Sequence, residues 1–190
     1  MTNPRREQLL AVAAALMAER GFHGVSINDL GAAAGVSGPA VYRHFVSKQA
    51  VLGEMLIGIS QRLLDTGRQR VAAACSPSAA VEELIAWHVE FALSEPDLIR
   101  VQDRDLASTT TEDRQRVRKL QRSYVEVWVA ELMRNLPELG ESVARARVHA
   151  VFGLLNSTPY SGRGLDTAQM AEVLRGMGAA ALLAPVTSFP

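Results

Sequence analysis

Apolar residues recur along this chain at intervals of three and four positions, which is the repeat of an α-helix with one buried face. The first such stripe consists of Leu9, Val12, Ala13, Leu16 and Met17. No segment alternates between apolar and polar residues for long enough to indicate a β-strand. The pattern therefore predicts an all-α protein of about nine helices.

Caps, glycines and prolines set the ends of the predicted helices. Ser26 with Asp29, and Asp166 with Gln169, have the spacing of capping boxes. The segment Ser157–Leu165 contains one proline and two glycines and is predicted to be a loop. The predicted helices cover residues of about 4–20, 27–34, 39–45, 48–74, 79–93, 96–106, 113–136, 141–156 and 166–183.

The two short predicted helices at 27–34 and 39–45 are joined by Gly35-Val36-Ser37. A tight turn of three or four residues that contains glycine is typical of a helix-turn-helix, whose second helix enters the major groove of DNA. That second helix begins with small residues, so its backbone could approach DNA closely. The sequence therefore predicts a helix-turn-helix DNA-binding domain at 1–48 and a second helical domain at 49–190.

Residues 9–52 resemble the DNA-binding domain of the TetR family of transcriptional regulators. The resemblance rests on the run Ala33-Ala34-Gly35-Val36-Ser37, followed at the family's spacing by Tyr42, His44, Phe45 and Lys48. By this resemblance, the phosphate contacts are Ser26, Ser37, Tyr42, His44 and Lys48. The groove-facing positions implied in the same way are Gly38, Pro39, Ala40 and Arg43. Of these four, only Arg43 could make a bidentate contact with guanine, and a phosphate-facing arginine is the alternative.

The net charge is zero and does not by itself favour a nucleic-acid partner. Residues 1–50 carry five basic and three acidic side chains, a mild excess that permits DNA binding. The longest apolar run, Leu9–Ala18, is shorter than the roughly 20 residues of a membrane-spanning helix. One cysteine allows no internal disulfide, and a cytoplasmic protein is expected. No phosphate loop, metal cluster or nucleophile motif is present, so neither an enzyme nor a cofactor or metal is expected.

The TetR resemblance implies a homodimer held by the last two long helices. Those helices carry small residues and apolar stripes, which suit close helix packing. Packing within one chain is the alternative. The predicted dimer-interface residues are Ala146, Ala150, Gly153, Met170, Val173, Leu174 and Met177.

The resemblance also implies a small-molecule pocket in the C-terminal domain. Aromatic side chains there stand four positions apart, so that each pair shares a helix face. The alternative is that these aromatics form ordinary core. The predicted pocket residues are Met55, Ile59, Trp87, His88, Phe91, Arg104, Tyr124, Trp128, Phe152 and Asn156. Their apolarity predicts a small hydrophobic effector, and a fatty acid or an acyl-CoA would fit.

The resulting hypothesis is a ligand-responsive repressor that binds a palindromic operator as a homodimer and is released by its effector. The rival hypothesis is a helical protein-interaction module that does not bind DNA. That rival predicts damaged phosphate contacts, whereas Tyr42, His44 and Lys48 are all present.

Overall fold

The computed structural model describes residues 4–161 and 164–185. Within these residues the chain forms ten α-helices and no strand. The helices are α1 (Pro4–Arg20), α2 (Ile27–Ala33), α3 (Gly38–Val41), α4 (Lys48–Ala73), α5 (Pro77–Ser94), α6 (Pro96–Asp105), α7 (Thr111–Asn135), α8 (Glu141–Leu155), α9 (Thr158–Ser161) and α10 (Thr167–Leu182). A 3₁₀ turn at Leu106–Ser108 follows α6. The prediction of an all-α fold is confirmed.

Both predicted capping boxes are present. The Ser26 hydroxyl accepts a hydrogen bond from the Asp29 backbone N–H at 3.1 Å, and the Asp29 carboxylate accepts one from the Ser26 backbone N–H at 2.8 Å. At the start of α10, Asp166 and Gln169 exchange the equivalent pair of bonds. These bonds satisfy backbone N–H groups that have no partner within a helix, and they fix where α2 and α10 begin.

The third helix is shorter than the pattern predicts, because α3 ends at Val41 and residues 42–44 form a turn. Tyr42, His44 and Phe45 are weak helix formers, which favours an early end. The Arg6 guanidinium also donates to the His44 backbone carbonyl, so this terminal acceptor is satisfied without a further helical turn.

The predicted loop at 157–165 contains a single helical turn, α9, so the prediction is wrong for those residues. The Tyr160 N–H donates to the Ser157 carbonyl at 2.9 Å, which closes the turn. The Thr158 hydroxyl donates to the Ala92 carbonyl of α5 at 2.7 Å and attaches the turn to the rest of its unit. Pro159 is tolerated there because the first residues of a helix need no N–H donor.

The chain divides into two compact units. One contains the described residues of 1–61 together with 97–119, and the other contains 62–96 together with the described residues of 120–190. The buried core of the first unit includes Leu9, Met17, Leu30, Val41 and Phe45. The predicted functional boundary between residues 48 and 49 stays a prediction.

The core of the second unit lies among α5, α7, α8 and α10. Leu84, Trp128, Leu132, Val148 and Leu155 are almost completely buried in it. Helix α10 packs against both α5 and α8. This arrangement leaves one face of α8 and α10 exposed, as described below.

Candidate nucleic-acid interface and effector site

Glycines set the geometry of the turn between α2 and α3. Gly35 has φ +70°, a left-handed conformation that favours glycine, and the Val36 N–H donates to the Gly31 carbonyl at 2.8 Å. A Cβ on Gly31 would lie 2.9 Å from the Val36 carbonyl oxygen, and one on Gly38 would lie 2.0 Å from the Asn28 side-chain oxygen. The two helices therefore pack in direct backbone contact, and the helix-turn-helix connection predicted from sequence is present.

The predicted DNA-contacting residues differ in their exposure to solvent. Tyr42 is 57% exposed, and its neighbour Val46 is 86% exposed. Gly38 is buried by its packing against Asn28, so only its backbone could approach DNA. Among the others, Ser26, Ser37, Pro39 and Arg43 are exposed, whereas Ala40, His44 and Lys48 are half-buried. The exposed side chains around α3 form a polar surface with hydroxyl and guanidinium donors.

Lys48 makes contacts within its own unit. Its ammonium donates to the backbone carbonyls of Phe22 at 2.7 Å and Val25 at 2.6 Å, and it lies 4.3 Å from the centroid of the Phe22 ring. Two of its three N–H donors are therefore engaged by the segment between α1 and α2. Nearby, the Ser47 hydroxyl accepts from the Ala50 N–H at 3.1 Å and caps α4.

Arg6 connects α1 to the turn that follows α3 and to α4. Its guanidinium forms a bidentate ion pair with Glu54, donates to the His44 carbonyl, and lies 4.4 Å from the centroid of the Phe45 ring. The hydrogen bond that Arg6 donates to the Glu54 carboxylate raises the pKa of Arg6 above its usual value. Sequence reasoning missed this pair because Arg6 and Glu54 lie far apart in the chain and no periodicity links them.

Three predicted pocket residues lie in the first compact unit. Met55 and Ile59 are buried on α4. Arg104 on α6 donates to the carbonyls of Met17 and Ala18 at the end of α1, the latter at 3.3 Å. These bonds direct the guanidinium toward the carbonyl end of α1.

Asp105, a buried carboxylate that sequence reasoning did not select as a site residue, is the partner of Arg104. The ion pair spans 3.0 Å, and Asp105 also accepts a hydrogen bond from the Phe22 backbone N–H at 3.2 Å. The two adjacent residues thus hold α6 against the end of α1 within the first unit.

Five of the ten predicted pocket residues come together in the second unit, in an aromatic cluster of His88, Phe91, Tyr124, Trp128 and Phe152. The His88 and Phe152 rings are stacked with centroids 4.8 Å apart, and the Tyr124 and Phe152 rings are stacked at 5.6 Å. Trp128 and Phe152 pack edge to face with centroids 5.0 Å apart, and His88 and Phe91 do so with centroids 5.8 Å apart. The helical spacing of Tyr124 and Trp128 therefore did indicate a shared face.

Trp87 contributes to the same unit but makes separate contacts. Its indole N–H donates to the Leu63 carbonyl at 3.2 Å, and the Arg70 guanidinium lies 5.3 Å from its ring centroid. Adjacent residues on a helix point about 100° apart, which separates Trp87 from His88.

Polar atoms are buried inside the aromatic cluster. His88 Nε2 lies 3.1 Å from the Asn156 side-chain oxygen, and burial lowers the pKa of His88 to about 4. The imidazole is therefore neutral at physiological pH. Burial raises the pKa of Tyr124 above its usual range. Among the described residues, no hydrogen-bond partner reaches His88 Nδ1, the Tyr124 hydroxyl or the Trp128 indole N–H.

A shallow groove of about 410 Å³ lies elsewhere in the second unit, between α4 and α7. Its lining is mainly apolar and includes Val71, Ala72, Val127 and Ala130. None of the predicted pocket residues lines it. The groove and the aromatic cluster are therefore separate features of the second unit.

The residues predicted for a dimer interface fall into two groups. Ala146, Ala150 and Gly153 on α8 and Val173 and Met177 on α10 are exposed. The remaining two residues, Met170 and Leu174, are buried within the chain. Helices α8 and α10 pack against each other, and each carries part of this exposed set.

Two further features are absent from the part of the chain that the structure describes. No group of three or more His, Cys, Asp or Glu side chains there could hold a metal ion. No helix in the described ranges is both long enough and apolar enough to cross a membrane.

A helix-turn-helix whose second helix is flanked by exposed polar side chains, in a chain that also forms a second helical unit, is typical of DNA-binding transcriptional regulators. Residues 9–55 match the family model described as bacterial regulatory proteins, tetR family. Residues 74–177 match that of the tetracyclin repressor-like C-terminal domain. The chain belongs to the TetR family of bacterial transcriptional regulators, as the resemblance of residues 9–52 predicted.

Individual relatives match parts of the sequence or the whole fold. The HTH-type transcriptional repressor KstR2 of Rhodococcus jostii is 36% identical over 86 residues, which are 45% of this chain and 42% of that protein. The chain thus aligns with less than half the length of this curated relative. The structure of the ketosteroid transcriptional regulator KstR2 of Mycobacterium tuberculosis superposes with a TM-score of 0.81 at 21% identity, covering 96% of this chain and 95% of that one.

A third relative was solved with a ligand. FadR of Bacillus subtilis, in complex with stearoyl-CoA, superposes with a TM-score of 0.73 at 15% identity and covers 92% of this chain and 98% of that one. The superposition establishes a shared fold. At this low sequence identity it does not show that the present chain binds the same ligand.

Proposed function

We propose that this chain is a homodimeric repressor that leaves a palindromic operator when a small hydrophobic effector binds. The observation that carries the proposal is the helix-turn-helix itself, in which a left-handed Gly35 turn presents Tyr42 and Arg43 to solvent. The KstR2 proteins are named as repressors, which makes repression the activity to test first. We place this activity in the cytoplasm, where operator DNA is accessible.

The proposed DNA contacts are of two kinds. Some bind phosphates and position the protein on the DNA, and others bind base edges and recognise the sequence. Hydroxyl, imidazole and ammonium groups position the protein on phosphates without reading sequence. These groups belong to Ser26, Ser37, Tyr42, His44 and Lys48. The groove-facing set is Gly38, Pro39, Ala40 and Arg43. In that set Arg43 is proposed to read guanine. The buried Gly38 faces Asn28, so its lack of a side chain lets α3 pack closely against α2.

The proposed dimer uses the exposed surface of α8 and α10. Ala150 and Gly153 would let a partner helix approach closely, and among the described residues no atom outside its own helix backbone lies within 4 Å of a Cβ placed on Gly153. Covering exposed apolar side chains such as Val173 and Met177 with a partner would stabilise the dimer. Dimerisation would present two α3 helices about 34 Å apart to a palindromic site.

The proposed effector site is the aromatic cluster of the second unit, with Trp87 and Asn156 beside it. Pockets of this kind are mainly apolar with a few placed polar groups. Fatty acids and acyl-CoAs are the first compounds to test, because FadR of Bacillus subtilis shares the fold and was solved with stearoyl-CoA. Met55, Ile59 and Arg104 remain pocket candidates on the sequence argument alone.

Release of DNA follows from linkage. An effector that binds better to the arrangement unable to grip the operator must weaken DNA binding by the same factor by which DNA weakens effector binding. No contact between effector and DNA is required. The coupling can therefore be measured as the effect of the effector on DNA affinity or as the effect of DNA on effector affinity.

The experiment is selection of bound fragments from fragmented genomic DNA by the purified full chain, followed by release with fatty acids and acyl-CoAs. The proposal predicts enrichment of a palindromic sequence and dissociation by at least one of these compounds. Recovery of no preferred sequence would contradict it and favour the interaction-module hypothesis. Selection of a palindrome that no such compound releases would contradict the effector class alone.

A further inference from the structure

Three buried polar atoms in the aromatic cluster lack a partner, which is unusual in this unit. The Trp87 indole N–H donates to the Leu63 carbonyl, and the Thr158 hydroxyl donates to the Ala92 carbonyl. In contrast, within the described residues no hydrogen-bond partner reaches the Trp128 N–H, the Tyr124 hydroxyl or the His88 Nδ1. These side chains are no more than 3% exposed.

Leaving such groups unpaired is costly. A buried donor or acceptor without a partner has given up its hydrogen bonds to water and gained none in exchange. Phenylalanine at position 124 or 128 would fill much of the same space without that cost. Buried polar groups are paired in the great majority of native structures, so three exceptions in one cluster require a cause. A ligand whose polar atom completes these bonds is such a cause.

The two donors in the cluster lie side by side. The Tyr124 and Trp128 rings lie edge to face with their centroids 6.0 Å apart, yet the Trp128 N–H and the Tyr124 hydroxyl do not meet in hydrogen-bond geometry. The Tyr124 ring is held against the backbone of α4, since a Cβ on Gly67 would lie 2.7 Å from Tyr124 Cε2. An indole N–H can only donate, and a tyrosine hydroxyl can donate as well. Together they suit one acceptor oxygen.

The surroundings of these donors favour an uncharged oxygen. His88 is neutral and donates through Nε2 to the Asn156 oxygen, so it brings no positive charge. Arg70 is the cation whose charge reaches the Tyr124 hydroxyl, and its guanidinium is already paired with Glu90 at 2.7 Å and with Glu83 at 3.3 Å. A carboxylate buried here would lack a counter-charge, and burying an unpaired charge is far more costly than burying a carbonyl.

We infer that Tyr124 and Trp128 bind the carbonyl oxygen of an apolar, uncharged effector group, such as a ketone, ester or thioester, and that the cluster rejects a free carboxylate. This inference rests on the proposed function. Beyond the proposed function, it favours an acyl thioester over a free fatty acid as the effector. His88 Nδ1, the remaining unpaired acceptor, would accept from a hydroxyl on the same effector where one is present.

The test compares three series of probes by isothermal titration of the full chain. These are methyl ketones of increasing chain length, the alkenes in which a methylene group replaces the carbonyl oxygen, and fatty acids of matching length. We expect a ketone to bind about tenfold or more tightly than its alkene, which corresponds to about 1.4 kcal/mol for the bonds to oxygen. Tyr124→Phe should reduce ketone affinity and leave alkene affinity unchanged. Equal affinity for ketone and alkene across the series, or tighter binding of the carboxylate, would overturn the inference.

The thermal stability of Tyr124→Phe gives a second readout. Without an added probe, removal of an unpaired hydroxyl should leave the melting temperature unchanged or raise it. Tyr160→Phe, which alters a 71% exposed tyrosine, is the matched control. A lower melting temperature for Tyr124→Phe alone would mean that the hydroxyl already has a partner, such as an internal water molecule. That result would overturn the inference.

Failure of this inference can be distinguished from failure of the proposed function. Operator binding by the same preparation is measured in parallel. A chain that binds its operator but does not discriminate ketone from alkene refutes the carbonyl site alone. A chain that discriminates the probes but binds no operator supports the carbonyl site and contradicts the regulator proposal.

Discussion

Lys48 offers a stringent test of how the DNA-binding unit is held together. Its ammonium donates to the Phe22 and Val25 carbonyls at 2.7 and 2.6 Å and lies over the Phe22 ring. These bonds fix the segment that leads into the capping box of α2. Lys48→Met keeps the apolar stem of the side chain and removes the three donors.

The expected loss follows from those contacts. A hydrogen bond to a charged group contributes about 1.5–3 kcal/mol, and a cation over an aromatic ring about 0.5–2 kcal/mol. Lys48 is half-buried, so solvent screening favours the lower end of each range, and the two bonds share one ammonium. We therefore expect the free energy of unfolding to fall by about 2–3 kcal/mol.

The assay is urea denaturation followed by circular dichroism. This signal is preferable to tryptophan fluorescence, because Trp87 and Trp128 both lie in the second unit. The matched control is Lys119→Met, which removes the same charge from an exposed position of α7 in the first unit. The control should change stability by less than about 0.5 kcal/mol. Equal losses in the two variants would refute the role assigned to Lys48.

Three further predictions test other parts of the account. Arg43→Ala should weaken operator binding by about 1–3 kcal/mol but change scrambled-DNA binding much less, measured by competition; equal losses would indicate a phosphate contact. Met177→Arg should make the protein monomeric in light scattering, whereas Tyr160→Arg, at an exposed position outside the proposed interface, should not. Burial lowers the pKa of His88 to about 4 from 6.5, so the folded state binds fewer protons and stability should fall by about 3 kcal/mol as pH drops through that interval. His88→Gln should remove this dependence and His149→Gln should not; an unchanged profile in His88→Gln would contradict the burial of a neutral imidazole.

The sequence predicted features that depend on neighbouring residues. The capping boxes at Ser26 and Asp166 involve residues three positions apart, and both are present. Tyr124 and Trp128 are four positions apart on one helix, and their rings meet at 6.0 Å. Such contacts join residues of a single helix, so their spacing in the sequence is enough to predict them.

Features that depend on distant residues were not predicted. Arg6 meets Glu54 across 48 positions, and the hydroxyl that attaches α9 to α5 crosses 66. The carbonyl partners of the Lys48 ammonium were also unforeseen, because its position in the family motif suggested phosphate contact. Partner choice in these cases depends on tertiary packing, which periodicity does not encode.

Fluorescence-anisotropy titration across a salt series, with DNA from upstream of the gene, tests the central claim most directly. The account predicts sequence-selective binding that weakens steeply with salt, because phosphate contacts release counterions. It also predicts that Tyr42→Ala weakens binding to this DNA, while Tyr160→Ala, which alters an exposed tyrosine outside the proposed interface, does not. Binding no tighter than to scrambled DNA, and unaffected by Tyr42→Ala, would contradict the account.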